Sequence, residues 1–319
     1  MIKRIYIKKL IVSGIALFAL FLVYFIPNNK NDKLKIKQEI KYVNADITTS
    51  TIFLMDSNNY LAMTNIVTNN DSIESKATEL ITALIQGETL EDRLPSGFKA
   101  IIPNGTKILN INYNEGLIKI NFNNELLNTN KDMEIKIIED LVYTLTSING
   151  IDKVMIMIDG EILTKLPKSN IILPSTLDRN FGINKEYDLE STKNINKTTV
   201  YYINKYNDKE YYVPVTKVNN DNRNKIEIII DELSSKNLYK TNLMSYLSSE
   251  AKILSVNETD ETLTIDFNDS IFNDINTKDI LEEVIYTICL SIEDNYNVKE
   301  VIFTVNNEEI YKNVIKVLE

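Results

Sequence analysis

The same pattern of residues occurs twice in this chain of 319 residues, in residues 107–158 and again in residues 252–305. Each copy starts with two segments that alternate apolar and polar residues, continues with a helical run containing a Tyr-Thr pair, and closes with an apolar strand. The offset between the copies is 145 residues at the first strand, 143 at Tyr143 and Tyr286, and 147 at the closing strand. An offset that changes only in the loops indicates two duplicated domains rather than a solenoid of short repeats.

Each copy predicts the element order β-β-α-β-β-α-β. The segment Leu117–Phe122 alternates strictly, which predicts a strand in a sheet with one buried and one wet face. Two amphipathic helices per copy are expected to cover the buried face. For the later helix of each copy we predict residues 132–147 and residues 278–292, the second capped by Thr277. The predicted class is therefore α+β, with two tandem two-layer sandwich domains after an N-terminal transmembrane helix.

The duplication also predicts the domain boundaries. We expect residues 51–185 to form the first domain and residues 198–319 the second, each large enough to fold alone. Residues 163–198, between the copies, are interpreted as a partly ordered tail of the first domain.

The N-terminus predicts a signal anchor in residues 1–27. Four cations precede Leu10–Ile26, an uncharged run of 17 residues that is just long enough to span a bilayer. The basic flank is expected to stay in the cytoplasm, which places the bulk of the chain outside it in a single-pass topology. A cleaved signal peptide would look similar, but the bulky residues Tyr24-Phe25-Ile26 do not resemble a cleavage site. Residues 28–50 are polar and predict a tether.

Charge is divided unequally along the chain. Residues 1–41 hold nine Lys and Arg against two Asp and Glu, a net charge of +7, whereas the remainder holds 26 against 43, a net charge of −17. A part this acidic is not expected to bind nucleic acid, and it favours a basic or neutral partner. The N-terminal cations lie where they can meet anionic lipids of the membrane.

The residue types limit the possible chemistry. The chain has no histidine and a single cysteine, which excludes His-dependent nucleophile systems and thiolate metal sites. We predict no cofactor, no metal and no catalytic residue, and we expect Cys289 to be a buried structural thiol. Asp266 is the most pointed acidic candidate, but its counterpart is Asn121, so we interpret it as a polar residue on the solvent face.

Tyrosines crowd the first hairpin of the second copy. One interpretation is cross-strand packing on a half-buried sheet, and the other is an interaction surface for a partner. Tyr143 and Tyr286 are expected to pack at the edge of the core with their hydroxyls at the rim. The residues of the possible interaction surface are Tyr201, Tyr202, Tyr206, Tyr211 and Tyr212.

The first copy resembles the GerM domain, named for a sporulation and spore germination protein of endospore-forming bacteria. The second copy matches more loosely, because it lacks the lead-in with Pro, Gly and Thr and has Asn306-Asn307 in place of the Asp-Gly turn. The residues that carry the resemblance in the first copy are Leu94-Pro95, Asn104-Gly105-Thr106-Lys107-Ile108-Leu109, Leu117-Ile118-Lys119-Ile120-Asn121-Phe122, Val142-Tyr143-Thr144-Leu145-Thr146, Ile151-Asp152-Lys153-Val154 and Ile156-Met157-Ile158-Asp159-Gly160.

The resemblance implies a protein of the cell envelope at the mother cell–forespore interface, similar to the ring-forming domains of sporulation and secretion machines. Some members of the family are lipoproteins, and this chain lacks the cysteine that lipid attachment needs. We therefore expect a non-enzymatic membrane protein that assembles with other envelope or sporulation proteins, or with itself. The alternative is an envelope module that binds carbohydrate or peptidoglycan, or a hydrolase that uses acidic residues.

Overall fold

The computed structural model describes residues 48–69, 72–88, 93–235 and 241–314. The predicted signal anchor and nearly all of the predicted tether lie outside these ranges. No helix within the described ranges has both the length and the apolar character needed to cross a membrane.

The first repeat is built around a hairpin, two helices and a four-stranded sheet. Strands β4 to β7 form this sheet in chain order, with β5 and β6 parallel. The elements are β1 (Thr49–Asp56), β2 (Leu61–Val67), α1 (Ile73–Leu84), β3 (Phe98–Lys99), β4 (Ile108–Asn114), β5 (Leu117–Phe122), α2 (Lys131–Leu145), β6 (Lys153–Ile158) and β7 (Glu161–Ile162).

The second repeat follows the same plan, after a short strand β8 (Glu186–Asp188) that lies between the copies. Strands β11 to β14 form a second four-stranded sheet in chain order, again with its middle pair parallel. The α+β class and the β-β-α-β-β-α-β order are thereby confirmed for both copies, with one further strand at the end of each copy, β7 and β14, and the short β3 in the first. The elements are β9 (Asn196–Tyr206), β10 (Lys209–Asn219), α3 (Lys225–Leu233), β11 (Ile253–Glu258), β12 (Thr262–Phe267), α4 (Glu282–Asn295), β13 (Glu300–Val305) and β14 (Glu308–Val314).

A third sheet is shared by the two repeats. Its strands run in the order β3-β1-β2-β10-β8. Strand β9 is also part of this sheet and pairs with β10 along its whole length. The first hairpin of each copy thus joins the hairpin of the other copy, where Tyr212 pairs with Met63. Strand β8 adds in parallel to the end of β10, so the segment between the copies is ordered and pairs with the second repeat. Independent folding of each repeat stays a prediction.

Each repeat has an apolar cluster, and that of the second repeat also includes Ala62 of the first. In β5 the alternating residues Ile118, Ile120 and Phe122 are fully buried, as the sequence pattern predicts. Helix α2 covers them with Ile137 and Leu141, among others. The equivalent cluster of the second repeat gathers around β12 and α4. Burial of these apolar side chains is the main favourable term for each layer pair.

The helix α4 begins four residues later than predicted. It runs from Glu282, and its N-cap residue Leu281 makes no side-chain capping bond. Before it, Asp274 and Asp279 form an isolated bridge and Lys278 has a positive φ of 55°. Thr277 therefore lies in a loop, and the predicted cap there is wrong because this turn delays the start of the helix.

The later start of α4 also changes which residues of the two copies are equivalent, including the matched tyrosines Tyr143 and Tyr286. Thr144 accepts a hydrogen bond from the backbone N–H of Phe53 (3.0 Å), and Ser291 accepts the equivalent bond from Tyr201 (2.9 Å). These contacts set the offset within the helices at 147 residues, the same as at the closing strand. Tyr143 is fully buried, whereas Tyr286 is 45% exposed, so they are not equivalent positions. A shift of four residues returns to nearly the same helix face, because one turn has 3.6 residues, and the apolar pattern hides it.

A buried carboxyl on α2 has only one of its two oxygens satisfied. Asp140 is fully buried, its Oδ1 accepts the Thr144 hydroxyl (3.2 Å), and its Oδ2 has no hydrogen-bond partner. Burial raises the pKa of Asp140 well above its ordinary value of 3.8. With the 147-residue offset, Thr287 takes this position in the second repeat and donates to the backbone of its own helix.

We expect Asp140→Asn to stabilise the protein at neutral pH by about 1–3 kcal/mol, because the ionised aspartate of the unfolded chain must take up a proton or lose its hydration on folding and the amide need not. The folded-state pKa is raised, so the favourable contribution of Asp140 is complete below pH 3.8 and is lost as the pH rises through the folded pKa. The gain in melting temperature should therefore shrink as the pH is lowered from 8 to 4. Asp188→Asn, on an exposed aspartate, is the control. Equal curves for Asp140→Asn and wild type would contradict this assignment.

Candidate functional site at the junction of the repeats

The tyrosine-rich hairpin β9–β10 is mostly inside the protein. Tyr201, Tyr202 and Tyr211 are buried, so their side chains are not available to a partner in this fold. Tyr206 and Tyr212 are partly exposed, and an interaction there stays a prediction.

Most of these tyrosines contact the first repeat or the segment that follows it. The ring of Tyr206 lies against Gly97, where an added Cβ would come within 2.5 Å of the ring. The ring of Tyr211 meets that of Phe98 edge-on, with centroids 4.9 Å apart. The hairpin is therefore an interaction surface, but its observed partner is the other half of the same chain.

Asp56, in the hairpin of the first repeat, forms the first buried polar junction. Its Oδ1 accepts the backbone N–H groups of Asn58 (2.9 Å) and Tyr60 (2.8 Å), which shapes its own turn. Its Oδ2 accepts the Asn204 side-chain amide and the Tyr211 hydroxyl, both at 2.9 Å, from the second repeat. Burial, and then this bond to Asp56, raises the pKa of Tyr211. One carboxylate thus ends a turn in one repeat and binds two side chains of the other.

Asn184 forms the second junction. Its side chain accepts from the N–H of Leu61 (2.9 Å) and donates to the carbonyls of Leu61 (2.7 Å) and Pro214 (2.8 Å). The amide therefore bridges β2 and β10. Asn184 has a φ of 47°, a left-handed conformation that asparagine tolerates better than most residues. Its own N–H donates to the buried Glu139 (2.9 Å), whose other oxygen pairs with Lys185 (2.9 Å).

Arg179 forms the third junction, in a short turn between the copies. Its guanidinium donates to Asp294 on α4 (2.5 Å) and to the Tyr201 hydroxyl (3.2 Å). It also donates to Thr146 (3.1 Å) and Ser147 (2.8 Å) at the end of α2. Burial by itself would lower the pKa of Arg179, but the negative charge of Asp294 raises it above its ordinary value. Arg179 therefore stays charged and connects the later helices of both repeats.

An open cleft of about 350 Å³ lies beside Asn184. Ile135 and Lys136 of α2 form one wall, and Ile171 and Tyr187 of the segment between the copies form another. Tyr187 is 67% exposed, and Ile172, next to Ile171 in the chain, is 76% exposed. Burial lowers the pKa of Lys136, which donates to a backbone carbonyl at the edge of the cleft. The lining is mainly apolar, and its charged side chains are of both signs, with Lys136 and Lys185 beside Glu139 and Glu186.

Asp266 is buried rather than on the solvent face, so this part of the sequence interpretation is wrong. Its Oδ1 accepts the Thr304 hydroxyl (2.6 Å) and the N–H of Asn307 (3.0 Å). In the first repeat Asn121 accepts the N–H of Gly160 (2.9 Å) at the corresponding turn. Both side chains fix the turn after the closing strand, and either Asp or Asn supplies the acceptor that this role needs.

Two further observations bear on possible chemistry. Cys289 is buried as predicted, and burial raises the pKa of its thiol to about 11. In the ranges that the structure describes, no three side chains of the types His, Cys, Asp or Glu are grouped so as to hold a metal ion.

Breaking the Arg179 junction should be far more costly than breaking an exposed ion pair. We expect Arg179→Ala to lower the free energy of unfolding by about 3–5 kcal/mol, because it leaves buried Asp294 without its cation. Arg223→Ala is the matched control, since Arg223 pairs with Asp221 and Asp231 at the surface. Its loss should be about 0.2–1 kcal/mol. Urea unfolding of the full chain in mild detergent measures both, and equal losses would refute the structural role of this junction.

Comparison with known proteins gives consistent matches. The family described as "Germane: Sporulation and spore germination" matches residues 23–164 and 199–311. The spore germination protein GerM of Bacillus subtilis (strain 168) is 34% identical over 276 residues, which covers 83% of this chain and 74% of that protein. The solved structure of the tandem GerMN domains of the sporulation protein GerM from Bacillus subtilis has a TM-score of 0.73. It is 33% identical and covers 82% of this chain and 92% of that structure.

Proposed function

Because the chain belongs to the Germane family of sporulation and spore germination proteins, we propose that it acts in sporulation through protein–protein association in the cell envelope. In this proposal residues 10–26 anchor it in the membrane, the folded part lies outside the cytoplasm, and it catalyses no reaction. Its partners are other envelope or sporulation proteins, or a second copy of the chain.

The proposal rests mainly on one observation: an apolar cleft lies beside the Asn184 junction, whose hydrogen bonds hold the surrounding backbone in place. A binding protein gains affinity when its surfaces are already ordered, because ordering costs free energy on association. The contacts of Glu139 hold Asn184 and Lys185 in place, and Tyr187 pairs with Val218 of β10 in the shared sheet. Tyr187 is a large, exposed aromatic side chain on this fixed frame, a residue type that is enriched at the centres of interfaces.

The burial of Asp266 supports a non-catalytic role. A hydrolase that uses acidic residues needs a carboxylate that reaches its substrate, and the oxygen of Asp266 instead holds a turn of its own domain. The supporting contacts are internal ones, with Thr304 and Asn307. Substituting Asp266 is therefore expected to lower stability rather than to abolish a reaction.

Site-specific crosslinking in sporulating cells tests the association. We expect a photoreactive residue at Tyr187 or at Ile171 to give crosslinked adducts in membranes, because both side chains line the cleft and are exposed. Ile275 is the control position, since it is an isoleucine of the second repeat with a similar exposure, 68%. Adducts at Tyr187 but not at Ile275 would place the contact at the cleft. Recovery of only uncrosslinked monomer, together with normal spores from a deletion strain, would contradict the proposal.

The anchor has its own test. We expect N-terminal sequencing of the protein extracted from membranes to recover Met1 or the residues directly after it, because Tyr24-Phe25-Ile26 offers no small-residue cleavage site. The protein should stay in the membrane fraction after a high-salt wash and leave it only with detergent. A mature chain that begins near Asn28 would show that the segment is removed.

A further inference from the structure

The second repeat carries an exposed group of tyrosines at the start of α4. The rings of Tyr212 on β10 and Tyr286 on α4 have centroids 6.1 Å apart and are tilted by 48°. Tyr246 lies close by and donates its hydroxyl to Glu210 on β10 (2.6 Å). Tyr246 and Tyr286 are both more than two-fifths exposed. Solvent therefore reaches the rings from outside the fold.

Carboxylates are interleaved with these rings. Glu282 and Glu283 stand in the first turn of α4, next to Tyr286. Within the described residues, neither carboxylate takes part in any of the ion pairs. Burial, and then the charges of Glu283 and its neighbours, raises the pKa of Tyr212 to about 12. Carboxylates of the surface therefore lie close enough to Tyr212 to act on its hydroxyl.

We propose that this tyrosine–glutamate surface, formed by Tyr212, Tyr246, Tyr286, Glu210, Glu282 and Glu283, binds a lysine- or arginine-rich segment of a partner protein. The proposal rests on the proposed function, association in the envelope, and adds the chemistry of one partner. It concerns a face separate from the cleft beside Asn184.

The chemistry of the surface selects for cations. A Lys or Arg head group is attracted to the face of a tyrosine ring, and a neighbouring carboxylate adds a charge-assisted hydrogen bond. The net charge of −17 on the chain after residue 41 draws a basic segment toward it over a longer range. A neutral glycan is less well matched, because the tilt between Tyr212 and Tyr286 leaves no flat stacking platform and the carboxylates would lose water without a counter-charge.

The test measures the binding of a peptide to the full chain in detergent by fluorescence anisotropy. The probe is a fluorescein-labelled nonapeptide with five lysines separated by serines, and a serine-and-glutamate version is its counterpart. We expect saturable binding of the lysine peptide only. Glu282→Gln with Glu283→Gln should weaken it at least tenfold, and Tyr286→Ala several-fold, whereas Tyr286→Phe should stay close to wild type because the ring is kept.

The control variant carries the same loss of charge in the first repeat, as Glu125→Gln with Glu161→Gln, and should bind within twofold of wild type. All of these side chains except the intermediate Glu283 are exposed, so melting temperatures of the variants are expected to match that of the parent. Equal weakening by both double variants would overturn the proposal, since net charge alone would then explain the binding.

A second binding experiment tests whether the surface recognises carbohydrate instead of a basic peptide. Binding of an N-acetylglucosamine tetramer that is lost in Tyr286→Ala but unchanged in the double glutamine variant would assign the surface to carbohydrate and overturn the peptide proposal. Absence of peptide binding, together with intact crosslinking at Tyr187, would remove this inference and leave association in the envelope standing. Loss of both would remove the proposed function as well.

Discussion

Three polar side chains, the buried Asp56 and Asn184 and the partly buried Arg179, hold the two repeats together. Each one makes hydrogen bonds to groups on both sides of the junction. Replacing one of these side chains while the repeats stay packed would leave a buried hydroxyl, a strand carbonyl or a buried carboxylate without its partner. The cost of such unpaired groups is several kcal/mol each, which is much more than a surface contact provides. The shared sheet, the cleft and the order of the segment between the copies all depend on these contacts.

The duplication preserved the buried face and let the exposed face change. Asn121 and Asp266 each accept a backbone N–H in the turn after the closing strand. Thr144 in one copy and Ser291 in the other each accept a backbone N–H from the first strand of the hairpin. In the first repeat Lys136 and Glu139 of α2 line the cleft. With the 147-residue offset, Glu283 and Tyr286 take these places on α4.

Equivalent faces of the two copies therefore differ in chemistry, because the first borders an apolar cleft with charges of both signs and the second carries an acidic aromatic surface. Packing fixes the residues that face the core, because cavities and unsatisfied polar groups are costly there. Solvent-facing positions carry no such penalty and are free to specialise. A chain with two chemically different faces is suited to joining partners, which agrees with the proposed association in the envelope.

The sequence by itself determined the duplication, the order of elements, the α+β class and the family. Local periodicity carries this information, because an alternating strand such as Leu117–Phe122 can bury only one face. Only the tertiary structure decided that the hairpins merge into one sheet, that Tyr211 binds a carboxylate, and that α4 is displaced by one turn. Tyr211 and Asp56 are 155 residues apart, and nothing in the local pattern of either hairpin encodes which buried group the hydroxyl will meet. A helix shifted by four residues likewise keeps its apolar stripe, so only the contacts of Thr144 and Ser291 with their strands fix its register.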